Sequence, residues 1–391
     1  VTLLNCDVLI VGGGPAGLSV ASSLPKSVHC VIVHQDKEIG KPVRTSGGTW
    51  VKDMDALAIP NHLYQVVNQL DFYSDNSEVC FDISHDKLAI LDVTALYQYL
   101  ETLSDHPNRQ LFLGAKFIAA RQDADSLYTS NIRSREKGDF SIRSKFIIDA
   151  SGWHCSVLES LNLARKAERL GVGFEYEFPR KDFPENRAIL FVGSSALHGY
   201  GWVFPTNYDT IRLGVGVVNP DTDLSPRAVM NSFVESGDAK RFGIEIPEKC
   251  EVNAGVIPSI AYDEKLVYGT VIRTGDSANF ATPTVGEGIR IAIEYGRLLG
   301  RELGAFIQGD KKALSRYEST CSKVFKQDYK FGFMMNTRIA GYPAERWDKS
   351  LKRLARLTAV EMTQLVRSHF SLKMVLRTIW LSVLGKFKKQ V

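Results

Sequence analysis

The apolar pattern of this chain changes character along its length. Residues 6–13, CDVLIVGG, are a short unbroken apolar run rich in Val and Ile, which predicts a buried parallel strand. PAGLSVASSL predicts a helix, with Pro15 in the first turn, where a missing N–H leaves nothing unpaired. HCVIVHQ (29–35) predicts the next strand, so the three segments make a strand–helix–strand unit. Residues 86–121 predict a strand, a helix (VTALYQYLETL) and a further strand (LFLGAKFIAA); SLYTSNIRS and DFSIRSKFIIDASG then alternate like sheet strands. From about 166 to 262 the texture shifts. LGVGFEYEF, AILFVGSS, GYGWVFPTN and TIRLGVGVV predict an antiparallel sheet, the last two strands joined through Asn207, Tyr208 and Asp209. GTVIRTGDSANF returns to a parallel-type strand, GEGIRIAIEYGRLLGREL predicts a strongly amphipathic helix, and residues 311–391 read as almost wholly helical.

Composition narrows the class. At 391 residues, with 44% hydrophobic and 24% charged, the chain can bury a sizeable core and reads as a soluble globular protein. Its six cysteines include no C-x-x-C pair, so no zinc or dithiol site is expected and no metal is assigned. No secretory pattern precedes the first strand, which points to a cytoplasmic setting. Charge is uneven. Residues 311–391 hold 18 basic and 5 acidic side chains, +13, against −9 for the rest. A basic segment on an acidic body suits an anionic membrane surface or an acidic redox partner; a nucleic-acid role would rest on this charge alone. The last residues support the membrane idea: Leu372, Val375, Leu376, Ile379 and Val383 would share one helical face, and Lys386, Lys388 and Lys389 follow.

Residues 12–17, Gly-Gly-Gly-Pro-Ala-Gly, fit G-x-G-x-x-G between a strand and a helix. Gly12 permits the tight turn, Gly14 lets backbone approach a pyrophosphate, and Gly17 lets the helix pack on the sheet. Pro15 and Ala16 open the helix whose N-terminus faces the phosphates. The acidic residue usual at the end of the second strand is missing: the counted position is Gln35, flanked by His34 and Asp36. Gln35 or Asp36 could take a hydrogen bond from a ribose hydroxyl.

Three more segments sharpen this: EIGKPVRTSGG, IIDASG (147–152) and RTGDSANFATPTVGEGIRIAIEYG (273–296). In this order they resemble FAD-dependent oxidoreductases related to the aromatic hydroxylases. GYGWVFP (199–205) is similar to the Y-x-W-x-F-P signature of the geranylgeranyl reductase family among them. The resemblance covers roughly residues 5–310. It implies an α/β fold with a Rossmann-like FAD-binding domain, an antiparallel-sheet substrate domain and a helical C-terminal region. The FAD-binding domain would take residues 1–165, with a substrate-domain excursion near 60–85, and 263–310. The substrate domain would take 166–262 and the basic helical region 311–391.

The resemblance also assigns roles. Asp149 and Gly152 would form a second dinucleotide contact. Gly275 and Asp276 would meet ribityl or ribose hydroxyls. Pro283, Gly286, Glu287, Gly288 and Ile289 would bring a helix N-terminus to the flavin's pyrimidine side, where reduced flavin carries negative charge. Arg44 would be a fixed cation beside flavin or pyrophosphate, although a surface ion pair is the plainer reading of it. Gly48, Trp50, Tyr200, Trp202, Phe204 and Pro205 would bound the substrate space; Tyr200, Trp202 and Phe204 share one face of their strand. Reductases of this family often carry a cysteine where Thr45 and Ser46 stand, so a thiol role does not carry over; Thr45, Ser46 and His198 are the remaining candidates for chemistry. The expected activity is reduction of a carbon–carbon double bond in a lipophilic or aromatic molecule. A flavin monooxygenase or halogenase, and an electron-transfer flavoprotein with no small-molecule product, are the alternatives. With one G-x-G-x-x-G turn, electrons would come from NAD(P)H bound transiently, a flavin reductase or a ferredoxin-like donor.

Overall fold

The computed structural model describes residues 2–369. The C-terminal face proposed for membrane contact, from Leu372 onward, lies outside the described residues.

An eight-stranded sheet carries the predicted parallel core. Thr2–Val11 lies between Phe140–Asp149 and Cys30–Val33, and Val271–Arg273 and Arg109–Phe112 extend it on either side, all parallel. The first strand starts earlier than its apolar run because Thr2–Asn5 pairs with Phe140–Arg143. The predicted strand LFLGAKFIAA is two strands. Gly114, at φ +59°, turns the chain between Arg109–Phe112 and Ala115–Gln122, and the second piece pairs antiparallel with Tyr128–Ser134.

A seven-stranded sheet stands beside it in the order Glu251–Pro258, Leu170–Pro179, Thr210–Asn219, Gly199–Pro205, Arg187–Phe191, Gln69–Tyr73, Glu78–Asp82. One pairing in it, Arg187–Phe191 with Gln69–Tyr73, is parallel, against the antiparallel expectation; the rest are antiparallel. Pro226–Ser236 adds a helix that the strand pattern hid, capped by the Ser225 side chain and ended by Gly237 at φ +73°. Its Val229, Met230 and Phe233 close one face of this sheet. Gly48–Trp50, Leu88–Leu91 and Tyr64–Val67 form a small third sheet.

Helix Pro15–Ser23 lies against helix Ile289–Ile307 because the longer helix presents Gly296, Gly300 and Gly304 on one stripe. A Cβ at these positions would come within 3.0 Å of Ala16 O, Val20 O and Pro25 Cδ. The small residues thus set side by side two helices whose N-termini face the same region. Three helices, Ala313–Ala340, Ala344–Leu354 and Ala359–Val366, realise the helical C-terminal expectation over the described residues. None of the described helices is long and apolar enough to cross a membrane.

Candidate functional site: a dinucleotide cradle and an apolar cavity

The glycine-rich turn has the geometry its spacing implies. Gly12 sits at φ +115°, and a Cβ there would collide with Ala150 O, so the 149–152 turn closes directly over it. A Cβ at Gly17 would fall on Gly12 O. Beside Gly14 there is open space, and its helix begins with no side-chain cap. Ala16 is buried against Gly275, whose φ is +64°.

At the second strand end the structure corrects the count. The strand stops at Val33, and the residue beside the turn is His34, whose Nδ1 accepts from Gly13 N at 3.2 Å. Gln35 is exposed. Asp36 is bound by Arg44 in a two-pronged pair, at 2.7 and 3.0 Å, with His34 Nε2 at 3.5 Å. Arg44 is therefore ion-paired, as the plainer reading had it, but at the cradle's edge. Burial and Arg44 oppose charge on His34, so its pKa lies below normal although Asp36 pulls the other way.

Asp149 takes a different task from the one its motif implied. It is 0% exposed; its Oδ1 accepts from Ser151 N and Oγ, its Oδ2 from Val157 N and Leu158 N. The carboxylate is used up in holding its own turn, and the backbone of Ala150 and Ser151 meets the glycine turn at Gly12. Gly152, at φ +70°, has open space beside it.

Across the groove, Asp276 has no hydrogen bond to its carboxylate among the described residues. Burial pushes it up to about 6. It stands 3.4 Å from where a Cβ of Gly288 would be. Gly288 precedes the uncapped helix that begins at Ile289. The loop before it is closed on Thr282: Thr282 N donates to Glu287 O, Gly286 N to Thr282 O, and Glu287 N to Thr282 Oγ1. The Glu287 side chain turns inward, accepting from Thr49 Oγ1 at 2.7 Å and pairing with Arg290 at 2.9 Å. It fixes the loop, leaving backbone N–H groups for a ligand.

An open glycine, a carboxylate without partners and two uncapped helix starts along one groove suit the pyrophosphate and polyhydroxyl chain of a flavin dinucleotide. Gly14→Ala tests the cradle. Space and backbone (φ −85°) admit the methyl group, so the apoprotein should unfold at the wild-type urea concentration, while FAD binding weakens at least about tenfold.

Beyond Arg44 and Pro283 lies a cavity of about 1380 Å³. Thr45, Ser46 and Pro283–Gly286 line its cofactor end. Its floor is the large antiparallel sheet, cleared of side chains by Gly171, Gly173, Gly216 and Gly255. A Cβ at Gly255 would collide with Arg44 O, and one at Gly286 would come 2.5 Å from Ile257 Cδ1. Arg212 Nη1 donates to Ser46 O at 3.1 Å, and Tyr200 OH to Val285 O at 2.5 Å. Both cofactor-side segments are thus fastened to the floor. The small residues of RTSGG are also explained: Gly47, at φ +76°, packs on Leu91, and Gly48 leaves 3.1 Å for Phe204 Cε2.

The predicted aromatic stripe divides. Tyr200 and Trp202 line the cavity; Phe204, Pro205, Gly48 and Trp50 do not. Trp50 is 2% exposed and packs in a cluster with Val67 and Phe204, its ring beneath the Arg367 guanidinium. His198 reaches the cavity at the helical end, with Nδ1 3.3 Å from Ala340 O. Sequence reasoning missed Glu175 and Asn253, which stand on the wall beside Trp202. Strand alternation alone could have put both on the inner face.

The family model described as FAD binding domain matches residues 5–331. The chain belongs to this family. Digeranylgeranylglycerophospholipid reductase 3 of Methanosphaera stadtmanae is 25% identical over 307 residues, 75% of this chain and 76% of the relative. A geranylgeranyl bacteriochlorophyll reductase-like protein of Thermoplasma acidophilum superposes with a TM-score of 0.82 over 100% of both chains, at 17% identity. The p-nitrophenol 4-monooxygenase of Pseudomonas putida shares the fold at a TM-score of 0.73 and 19% identity, over 93% of this chain and 97% of that one. The chain is an FAD-dependent oxidoreductase, and its resemblance to the geranylgeranyl reductase family holds.

Proposed function

We propose that this protein reduces carbon–carbon double bonds in a prenyl lipid that carries an anionic head group. One observation supports the substrate class above the others. The cavity runs from Ser46 and Gly286, across the floor with Tyr200 and Trp202, to a rim where Arg338, Lys349, Lys352, Arg353 and Arg356 stand exposed. None of these five is ion-paired with another described residue. At about 1380 Å³ the space exceeds the ~300–1,000 Å³ of sites for drug-sized ligands. An apolar chain would fill the wall and each Å² it buries would contribute roughly 25 cal/mol, while the head group meets the cations outside. The same rim would rest against an anionic lipid surface, the source of such a substrate.

FAD, held by the Gly12–Gly17 turn and the loop before Ile289, supplies hydride chemistry once reduced. The protein's own parts do the rest: Gly171, Gly173, Gly216 and Gly255 let the chain approach the cofactor side, and the apolar wall holds it there. The electrons come from a transient donor, NAD(P)H or a small redox protein, because the single G-x-G-x-x-G turn is taken by FAD.

The test is anaerobic turnover of dithionite-reduced holoenzyme on digeranylgeranylglycerophospholipid and on uncharged digeranylgeranylglycerol. The charged lipid should be saturated, and Arg353→Glu with Arg356→Glu should raise its KM on the order of tenfold while leaving that of the neutral lipid unchanged. No saturated product from either lipid under anaerobic conditions, with hydroxylated product once air is admitted, would overturn the reductase reading; equal KM changes for both lipids would overturn the rim's role.

A further inference from the structure

Glu175 sits mid-strand in Leu170–Pro179, with Asn253 opposite on one side and Gly214 on the other. Because Gly214 has no side chain, the indole of Trp202 lies across it from the next strand; a Cβ there would collide with the ring. Trp202 Nε1 then donates to Glu175 Oε2 at 2.7 Å, and Asn253 Nδ2 to Oε1 at 3.3 Å. The residue is 3% exposed, yet it is the one carboxylate on the cavity wall among the described residues.

The charges around it are unequal. Arg212 is the cation that faces it, 3.9 Å from Oε1, but Arg212 is closer to Glu177, at 3.0 Å. One buried guanidinium therefore serves two carboxylates. With both ionised, the cluster carries a net negative charge inside the protein; with a proton on the farther one it is neutral. Burial raises the Glu175 pKa, and Arg212 offsets this only in part. If the site needed only an acceptor for the indole, an amide would serve without the desolvation cost of an acid. The same Arg212 donates to Ser46 O at the cofactor end of the cavity, so one side chain links Glu175 to that end.

We propose that Glu175 is the proton donor of the double-bond reduction, an assignment that rests on the reductase reading above. Reduced FAD, if bound at the Gly12–Gly17 turn, would be the two-electron source whose hydride adds to one alkene carbon. The Glu175 O–H bond breaks as its proton forms the C–H bond at the other carbon, consuming the π bond. Glu175 is left as a carboxylate, which the Trp202 and Asn253 N–H groups and Arg212 stabilise until it takes a proton from solvent through the open cavity. Fresh electrons come from the external donor, dithionite in the test.

The experiment compares the wild-type holoenzyme with Glu175→Gln. With FAD content and lipid affinity unchanged, anaerobic single turnover of digeranylgeranylglycerophospholipid should slow by about 100-fold or more in the variant. Because the folded pKa is raised, the proton is held below it and lost above it. The wild-type rate should therefore fall as pH rises through that value, and Glu175→Gln should lack this limb. Glu175→Asp should recover part of the rate. An infrared difference spectrum, wild type minus Glu175→Gln, should show a protonated carboxyl band with no lipid present, and the band should fade as pH rises. A variant as fast as wild type, or the absence of that band, overturns the proposal. Should Glu175→Gln fail to hold FAD, a wild-type rate indifferent to pH across the range in which that band fades overturns it as well. A wild-type enzyme that carries the band yet is inert towards the lipid overturns the substrate reading instead.

Discussion

Arg212→Met should destabilise the holoprotein by about 3–5 kcal/mol, the range for breaking a buried ion pair from one side. Arg212 is 4% exposed and lies on the strand Thr210–Asn219 between two sheets' worth of acceptors. Its Nε pairs with Glu177, and its Nη1 donates to Ser46 O at 3.1 Å and Leu91 O at 3.0 Å. Methionine keeps much of the apolar stem but removes every donor. Two carbonyls lose their partner, and Glu175 and Glu177 lose their shared cation in a place where neither can be well hydrated. Urea unfolding in saturating FAD measures the loss. Adding Glu177→Gln to Arg212→Met should recover part of it, because the second change removes a stranded charge. A single variant within about 1 kcal/mol of wild type would show that water already solvates this cluster. The same substitution frees Ser46 O, so FAD should dissociate faster from whatever fraction stays folded.

The parts of this site that were legible beforehand are those set by local chemistry. Gly12, Gly14 and Gly17 could be read because a strand-to-helix turn around a phosphate needs small residues at fixed steps; Gly12 and Gly17 make the close backbone approaches, and Gly14 leaves open space. The facing of Tyr200 and Trp202 against Gly201 and Val203 followed from the strand period. What failed depended on register or on where an element ends. Counting along the second strand named Gln35, but the strand stops at Val33 and His34 takes the place beside the turn. Asp149 has a motif that suggests a ligand contact, yet its four hydrogen bonds all close its own loop. Trp50 and Phe204 have the right residue type for a cavity wall and pack behind it. The glycines of the floor come from three strands, and only the pairing of Gly173 with Gly216 and Gly255 makes them one surface. Alternation could have put Glu175 on the inner face, but its meaning lies in Arg212 having a nearer partner, a fact of distance that no spacing encodes.

That floor yields the other large effect. Gly255→Ala should leave a folded protein that turns over about 100-fold more slowly, as for a reacting group displaced by about 1 Å. Its backbone is not in the left-handed region, so alanine adds no strain of its own. The added methyl would instead stand well under 3.0 Å from Arg44 O and C, a distance real side chains do not reach. Both obstacles are backbone atoms, with no flexible side chain to swing aside. The sheet cannot retreat, because Gly255 is paired with Gly173 in a strand held along its length by Leu170–Glu177. The 44–46 segment must move, and with it Arg44 at the cradle's edge and the Ser46 carbonyl that Arg212 holds. Gly173→Ala is the matched control: it is the direct partner of Gly255, it lines the same cavity, and its new methyl would meet Trp202 Cη2 at an ordinary 3.5 Å. Fluorescence titration of the two apoproteins with FAD, followed by anaerobic turnover, separates the outcomes. Loss in Gly255→Ala with near-normal behaviour in Gly173→Ala means that the floor positions the cofactor-side segment; equal loss in both means that any methyl group on the floor obstructs the substrate.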